Sequence, residues 1–560
     1  MRCPRGVATG GLPWGGACAP LMAALVCTAL CWSTAGCGPG RAIVIQIDAA
    51  GPTTPVSPYV YGIDADSAEA PDGVRLQRFG DRRWTTYNWE TNASNGGSAE
   101  GHRNDGRLSE SDSPGAAVAA RVLAAWRQGD AALVTVPLVG WVSGDKAGPV
   151  REGAPRELRF HRSLARNPSA FGVDPDPDDQ AVYQDEFVHW AQTVLGAGPD
   201  RPLWFALDYQ PDLWPQAHPR VHSAPTRYDE LAELAVEYAS AIKSVAPDTL
   251  VFAPGVSGYA AAMTLRDAPD ALGRGAFLPW YLEQLSEGRR GEARRLVDVI
   301  DVHHLSEARA DDDTRVTFGG AEDHGPAVAQ ARLHAARSLY DPTYAEDSPL
   351  VQDRLDGEPL ALLPRLRATL AEHKPEAQLA IGAYSFGGAG HISGGVAQAE
   401  ALGAMASQGV FASSWRRMEN RFGLLDYVMG AFALYTDYNG QGAGFGDRAL
   451  ATTTESPDKI AAFASLDSDR PDVMVAVLIN RTDSSQRVEL DFAGGFAWSR
   501  SARFEMRDGQ PAPAPGRGEV RILEKTGGTR LVLPPVSVTV LELSGGAPLP
   551  EIAGVADARP

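Results

Sequence analysis

Between residues 58 and 440, short apolar runs alternate with longer segments whose apolar positions recur every three or four residues. The runs at 74–79, 132–137, 203–207, 250–253, 296–302, 378–381 and 410–413 are largely apolar rather than alternating. That is the pattern of strands buried on both faces in a parallel sheet. Between them, Leu231, Leu234, Ala235, Tyr238, Ile242 and Val245 form a helical stripe that stops before Pro247. Thr226-Arg-Tyr-Asp229 offers a capping box in front of it. The stripe reads as packing, not as a cofactor site. Repeated strand–helix units of this kind predict an α/β fold, a TIM-like (β/α)8 barrel with long loops over 58–440.

After about residue 440 the pattern changes. Segments 473–480, 487–492, 503–506, 519–523, 530–533 and 536–543 alternate or run apolar, with turns at Asp508-Gly509 and Gly527-Gly528. They predict a C-terminal antiparallel β-sandwich over 441–545. An early strand at 42–48 is expected to join it. Residues 546–560 read as a disordered tail.

Composition narrows the function. The net charge of −19 disfavours nucleic acid, which needs clustered Lys and Arg, and suits a neutral ligand such as a polysaccharide. All five cysteines lie within the first 37 residues, so the remainder holds no disulfide framework. That segment carries Arg2 and Arg5, no acids, and an apolar core from Leu21 to Trp32, too short to span a bilayer. It ends in Thr34-Ala35-Gly36-Cys37, similar to a bacterial lipoprotein cleavage site, in which the Cys becomes the acylated first residue. Residues 1–37 are therefore expected to be a lipoprotein-type signal peptide. The protein is expected to be exported and anchored to the cell envelope through Cys37; ordinary secretion is the alternative. Gly38, rather than Asp, follows the Cys, so in a Gram-negative host the outer membrane is expected. No cofactor or metal is expected. The run Asp311-Asp312-Asp313 reads as a solvated loop, with calcium as the alternative.

The densest motif is Arg78-Phe-Gly-Asp81-Arg82-Arg83-Trp-Thr-Thr-Tyr87-Asn88-Trp89-Glu90-Thr-Asn92-Ala-Ser-Asn95. It follows a strand, hence lies on the barrel face where strand ends meet loops. Aromatics stack on sugar rings, and amides and carboxylates match sugar hydroxyls, although a packed loop has the same composition. Four further segments follow in order: Leu207-Asp208-Tyr209-Gln210-Pro211-Asp-Leu-Trp214 with His218-Pro219, Asp298-Val-Ile-Asp-Val-His303, Asp341-Pro-Thr-Tyr-Ala-Glu-Asp347, and His391-Ile-Ser-Gly-Gly-Val-Ala-Gln398. Together these resemble glycoside hydrolase family 44, whose members cleave cellulose, xyloglucan and related β-glucans.

The resemblance implies a barrel joined to a β-sandwich and a retaining hydrolase with two glutamates. Such catalysis places two carboxyls about 5–5.5 Å apart, one as acid/base and one as nucleophile. In the family the first is the Glu of Asn-Glu-Pro and the second the Glu of Thr-Glu-Tyr-Asn-Tyr-Gly-Gly. Here these motifs read Tyr209-Gln210-Pro211 and Gly382-Ala383-Tyr384-Ser385-Phe386-Gly387-Gly388. Gln210 and Ala383 therefore occupy the catalytic positions. Neighbours change as well: the family's Trp-Tyr-Pro after its His is His304-Leu305-Ser306.

Asp208 shares strand parity with Gln210 and is the first candidate for a substitute carboxylate, with Glu90, Asp81 and Asp212 behind it. Its plainer reading is a residue bonded to backbone or to an Arg. Tyr87, Asn88, Trp89, Glu90, His303, Tyr384 and Trp415 are candidate sugar contacts, and Trp204 is expected in the core. Three readings remain open: a non-catalytic binder of a β-linked polysaccharide or other glycan, a hydrolase with relocated carboxylates, and a surface protein that binds a partner.

Overall fold

Eight parallel strands close into a ring in the computed structural model, which describes residues 41–287, 296–317, 325–418, 423–493, 496–523, 527–545 and 547–548. They are β1 (Gly62–Asp64), β2 (Leu76–Phe79), β3 (Ala131–Val136), β4 (Leu203–Leu207), β5 (Val251–Val256), β6 (Val299–Val302), β7 (Gln378–Ser385) and β8 (Ala412–Trp415). Each pairs with its neighbour in sequence, and β8 returns to β1 through Trp415 opposite Ile63. The expected signal peptide and Cys37 lie outside the described residues. So does the expected tail, except that Ala547–Pro548 pair with Phe496–Ala497.

Side-chain alternation along each strand explains the apolar runs. Leu76, Leu133, Trp204, Ala206, Phe252, Val299, Ala380 and Ala412 form one buried cluster. These residues come from seven strands spread around a closed ring, so the cluster fills the lumen. Trp204 is thus core, stacked on Phe252 at 5.8 Å. The opposite set, including Val134, Phe205, Val251, Ile300 and Ile381, belongs to the outer core with the helices.

The helix expected before Pro247 runs Tyr228–Val245. Its cap differs from the expectation. The Thr226 hydroxyl donates to the Pro211 carbonyl at 2.7 Å. Instead, Glu230 accepts from the Arg227 amide, and Asp270 accepts from the amides of Tyr228 and Asp229. A distant carboxylate therefore caps this end, which local sequence could not reveal.

The sandwich has two sheets. Ile43–Asp48 lies between Thr452–Thr454 and Gln486–Ala493 in a five-stranded sheet, antiparallel to the first and parallel to the second. The other sheet centres on Val473–Asn480 and Ser537–Ser544. Val473–Asn480 is buried along its whole length. Met474, Ala476 and Leu478 pack inside the sandwich, whereas Val475, Val477 and Ile479 join the barrel core, which also includes Val396, Ala399 and Leu402 of the helix Ile392–Ser407. Glu400 of that helix forms a fully buried ion pair with Arg481 and accepts from the Tyr340 hydroxyl at 2.8 Å.

Candidate functional site

Above the apolar lumen layer, the same strand parity delivers a polar layer at the C-terminal ends of the strands. Arg78 lies two residues beyond Leu76, Asp208 two beyond Ala206, Asp301 two beyond Val299 and Gly382 two beyond Ala380. Arg78 Nη1 donates to Asp301 Oδ2 at 2.7 Å, with both side chains essentially unexposed. β2 and β6 stand opposite in the ring of eight, so this ion pair crosses the barrel axis. Gly382 makes room for it: a Cβ there would fall 2.1 Å from Arg78 Nη1 and 2.2 Å from Asp301 Oδ1. Burial pushes the Asp301 carboxyl up, but the Arg78 guanidinium beside it prevails and holds it below the usual carboxylate range.

Beyond β4 the backbone enters the left-handed region at Asp208 (φ 65°) and again at Gln210 (φ 52°). Asp208 is fully buried and accepts from the Thr85 hydroxyl at 2.6 Å, the Tyr209 amide at 2.7 Å and the Leu138 amide at 2.7 Å. Burial nonetheless raises its carboxyl to about 6. Both oxygens are spent holding the loops after β2 and β3 against β4, which is the plainer reading of this residue. Tyr209 packs beneath the mouth, its ring 5.6 Å from the Arg78 guanidinium, 5.4 Å from that of Arg416 and 5.0 Å from the His303 ring.

Gln210 and Ala383 both lie at the C-terminal end of the barrel, in the strand–loop junctions of β4 and β7. Gln210 Nε2 donates to His303 Nδ1 at 3.2 Å. This fixes the His tautomer with hydrogen on Nε2, which sits 3.6 Å from Asp301 Oδ2. Burial lowers the His303 pKa, so the ring is neutral. His303 is fully buried and bonded within the mouth. Ala383 is fully buried and brings no oxygen.

Three carboxylates around the mouth accept hydrogen bonds. Asp64 accepts from Arg416 Nη1 at 2.6 Å. Asp81 accepts from the Arg83 amide at 2.8 Å. Asp212 accepts from the Ser257 amide at 2.9 Å and from its hydroxyl. One oxygen each of Asp64 and Asp301 has no hydrogen-bond partner among the described residues, and burial together with the nearby Asp81 raises the carboxyl of Asp66 to about 7.

Several expected sugar contacts are used up in packing. Tyr87 donates to Asn92 Oδ1 at 2.8 Å, Asn88 Nδ2 to the Ser143 carbonyl at 3.0 Å, and Trp89 Nε1 to the Tyr183 carbonyl at 3.2 Å. Trp89 also packs on Phe187 and Trp190. Glu90 is buried with one oxygen unpartnered among the described residues. Burial, reinforced by Asp179 and Glu186, raises its carboxyl to about 9. Trp415 falls on the outer parity, and a register shift in β7 between Ile381 and Tyr384 turns Tyr384 outward as well: it accepts from Gln398 Nε2 of the surrounding helix at 2.7 Å, and both are fully buried in the outer core. These two therefore do not line the lumen. In the acidic run, Asp313 pairs with Arg309 and Asp312 accepts from the Thr314 amide.

The structure thus gathers Asp208, Gln210 and His303 with Arg78, Tyr209, Asp301 and Arg416. The last four were not singled out as one unit from the sequence. For Arg78, Asp301 and Arg416 the signal was charge at lumen parity on otherwise apolar runs; Tyr209 had none.

Comparison with known proteins agrees with this architecture. The sequence model of glycoside hydrolase family 44 matches residues 110–308. Endoglucanase A of Paenibacillus lautus is 33% identical over 442 residues, which make up 76% of this chain and 62% of that protein. The chain thus spans less than two thirds of that relative's length. The solved family 44 endoglucanase Cel44A of Clostridium thermocellum is 31% identical, with a TM-score of 0.83 covering 90% of this chain and 99% of that one. The solved family 44 xyloglucanase of Paenibacillus polymyxa, in a structure with xyloglucan, is 30% identical with a TM-score of 0.84, covering 90% of this chain and 100% of that one. With likeness of this extent across both the barrel and the sandwich, the chain belongs to glycoside hydrolase family 44.

Proposed function

We propose that this protein is a non-hydrolytic member of its family that retains a cleft for β-linked polysaccharide. Endoglucanase and xyloglucanase relatives point to β-glucan as the ligand class, and the family works without a cofactor. The observation that carries the reading is the carboxylate inventory of the barrel mouth. By motif order Ala383 takes the nucleophile position and Gln210, with its amide on His303, the acid/base position. Without a proton donor and a nucleophile, both steps of a retaining mechanism lose their agents. Relocation of chemistry to Asp208 is disfavoured, because its oxygens already accept three hydrogen bonds.

The test pairs a sensitive reducing-sugar assay on xyloglucan and soluble cellulose with affinity electrophoresis in the same glucans. Retarded migration without sugar release is expected. Restoring both carboxyls with Gln210→Glu and Ala383→Glu should give slow hydrolysis, and either change alone almost none, since residues that act as one unit are not additive. Sugar release by the unchanged protein that disappears in Asp208→Asn would overturn the reading. The burial of Tyr87, Trp89, Tyr384 and Trp415 favours one second reading, a partner-binding surface protein. Migration unaffected by every glucan would select it.

Export and lipid anchoring at Cys37 belong to the same proposal. They rest on the apolar run and the Ala-Gly-Cys site that closes it. Mass spectrometry of the native N-terminus should find a diacylglyceryl-modified Cys37. An unmodified N-terminus cut elsewhere would refute the anchor.

A further inference from the structure

At the rim of the sandwich, where Val488 and Leu531 of the five-stranded sheet meet Arg503 of the other sheet, a cleft of about 440 Å³ is lined by Arg487, Arg503, Arg517, Arg521 and Arg530, with Glu519 the one acid among the described lining residues. Strand alternation puts the charges there: Val488, Leu490, Leu531 and Leu533 point into the sandwich core, so Arg487 and Arg530 point out. Two of the five are neutralised locally, Arg530 by Glu489 at 2.8 Å and Arg503 by Glu505. Arg487, Arg517 and Arg521 are exposed and have no acidic partner among the described residues. Arg521 sits directly opposite Arg530 in the strand pairing, an arrangement that destabilises a sheet on its own. The whole chain carries a net charge of −19, so this concentration of positive charge runs against the composition. Between the arginines the surface is apolar: Val532 is 46% exposed, and Pro534 and Pro535 also line the cleft.

We propose that this cleft docks on anionic phospholipid headgroups of the membrane to which the chain is anchored. Guanidinium groups pair with phosphate as a planar fork, and apolar residues interleaved with arginines suit the headgroup–acyl boundary. Chain length supplies the link to the membrane. Ala42 itself lines the cleft, and four residues of sequence, 38–41, separate it from Cys37, a tether of at most about 18 Å. Docking there would set the barrel at a fixed attitude to the lipid surface instead of leaving it to swing on its anchor. The identity of the surface rests on the anchor reading; the charge and shape of the cleft do not.

Every described strand and helix of the two cores begins at or after Ile43, so a chain starting at Gly38 keeps all of them and, without Cys37, carries no lipid. This chain is co-sedimented with phosphatidylcholine vesicles, with and without about 30% phosphatidylglycerol, as salt rises from about 50 to 300 mM. Binding to the anionic vesicles alone is expected, and it should weaken steeply with salt. Each basic residue near such a surface contributes about fivefold. The triple variant Arg487→Glu, Arg517→Glu, Arg521→Glu should therefore lose about 100-fold or more, with unaltered thermal unfolding and glucan retention. If the triple variant does not fold, the three single reversals are read instead, each expected to lose about fivefold. Equal binding to neutral vesicles, unchanged binding by the reversed variants, or capture of heparin in solution without vesicle binding would overturn the proposal. The two readings fail separately. An unmodified native N-terminus with intact vesicle binding removes the anchor and leaves the surface. A lipidated Cys37 with no vesicle binding by the Gly38 chain removes the surface and leaves the anchor.

Discussion

Removing the carboxylate that crosses the barrel axis should destabilise the protein strongly. In Asp301→Ala, Arg78 keeps its charge, since a guanidinium does not deprotonate in proteins, yet loses the acceptor 2.7 Å away. Its Nε and Nη2 have no hydrogen-bond partner among the described residues and its side chain is unexposed, so nothing nearby takes over. Breaking a buried pair in this way costs about 3–5 kcal/mol, a large part of a typical total of roughly 5–15 kcal/mol. Replacing both partners, as Arg78→Met with Asp301→Leu, should recover most of the loss, because no buried charge is then left alone. Urea unfolding at neutral pH, followed by tryptophan fluorescence and arranged as a double-mutant cycle, measures the coupling. The pH dependence has a definite sign. Arg78 holds the folded carboxyl below the unfolded value of about 3.9, so the pair's contribution is complete above that value. It is lost as pH falls through the folded pKa. The gap between wild type and Asp301→Ala should be flat from about pH 5 to 8 and shrink only in strong acid. A loss below about 1 kcal/mol, or a double variant as unstable as the two single losses added together, would refute the account of the lumen.

Other outcomes follow from the same geometry. Asp208→Asn should loosen the loops after β2 and β3 without changing glucan retention. Because burial raises the folded carboxyl to about 6, above its unfolded value, wild type should lose stability relative to this variant as pH rises from about 4 to 6. Glu90, raised to about 9, predicts the same sign over a wider range: urea midpoints of wild type should drop below those of Glu90→Gln as pH approaches 9, and parallel curves would count against a buried protonated carboxyl. Tyr384→Phe leaves Gln398 Nε2 without its acceptor and should cost about 1–3 kcal/mol, with affinity electrophoresis unchanged. A selective loss of glucan retention would place Tyr384 in the cleft after all.

Much of the barrel was legible because strands buried on both faces must be apolar throughout. The expected run at 203–207 coincides with β4, and that at 473–480 with the central sandwich strand. β1 escaped notice. It is three residues long and begins at Gly62, where a Cβ would meet the Ser413 carbonyl at 2.2 Å; a strand selected for close approach to its neighbour carries little apolar signal. The positions of Gln210 and Ala383 could be read from motif order alone. Roles for the aromatics could not, because a ring that stacks on a sugar and a ring packed in the core have the same composition, and only strand parity and register around the closed ring separate them. Parity put Trp415 outward and brought Arg78 and Asp301 inward, across more than two hundred residues of sequence, while a register shift in β7 turned Tyr384 outward.

The central sandwich strand has consequences for how such a gene can be cut. Val473–Asn480 gives one row of side chains to each core, and Arg481 anchors it to Glu400 on a barrel helix. The C-terminal part is therefore not a detachable module of the kind that recombination shuffles between enzymes. A truncation near residue 440 would strip the helix Ile392–Ser407 of its cover and leave Glu400 charged on a bare apolar surface. Either fragment expressed alone should aggregate, and inherited change at this seam must be made on both sides together.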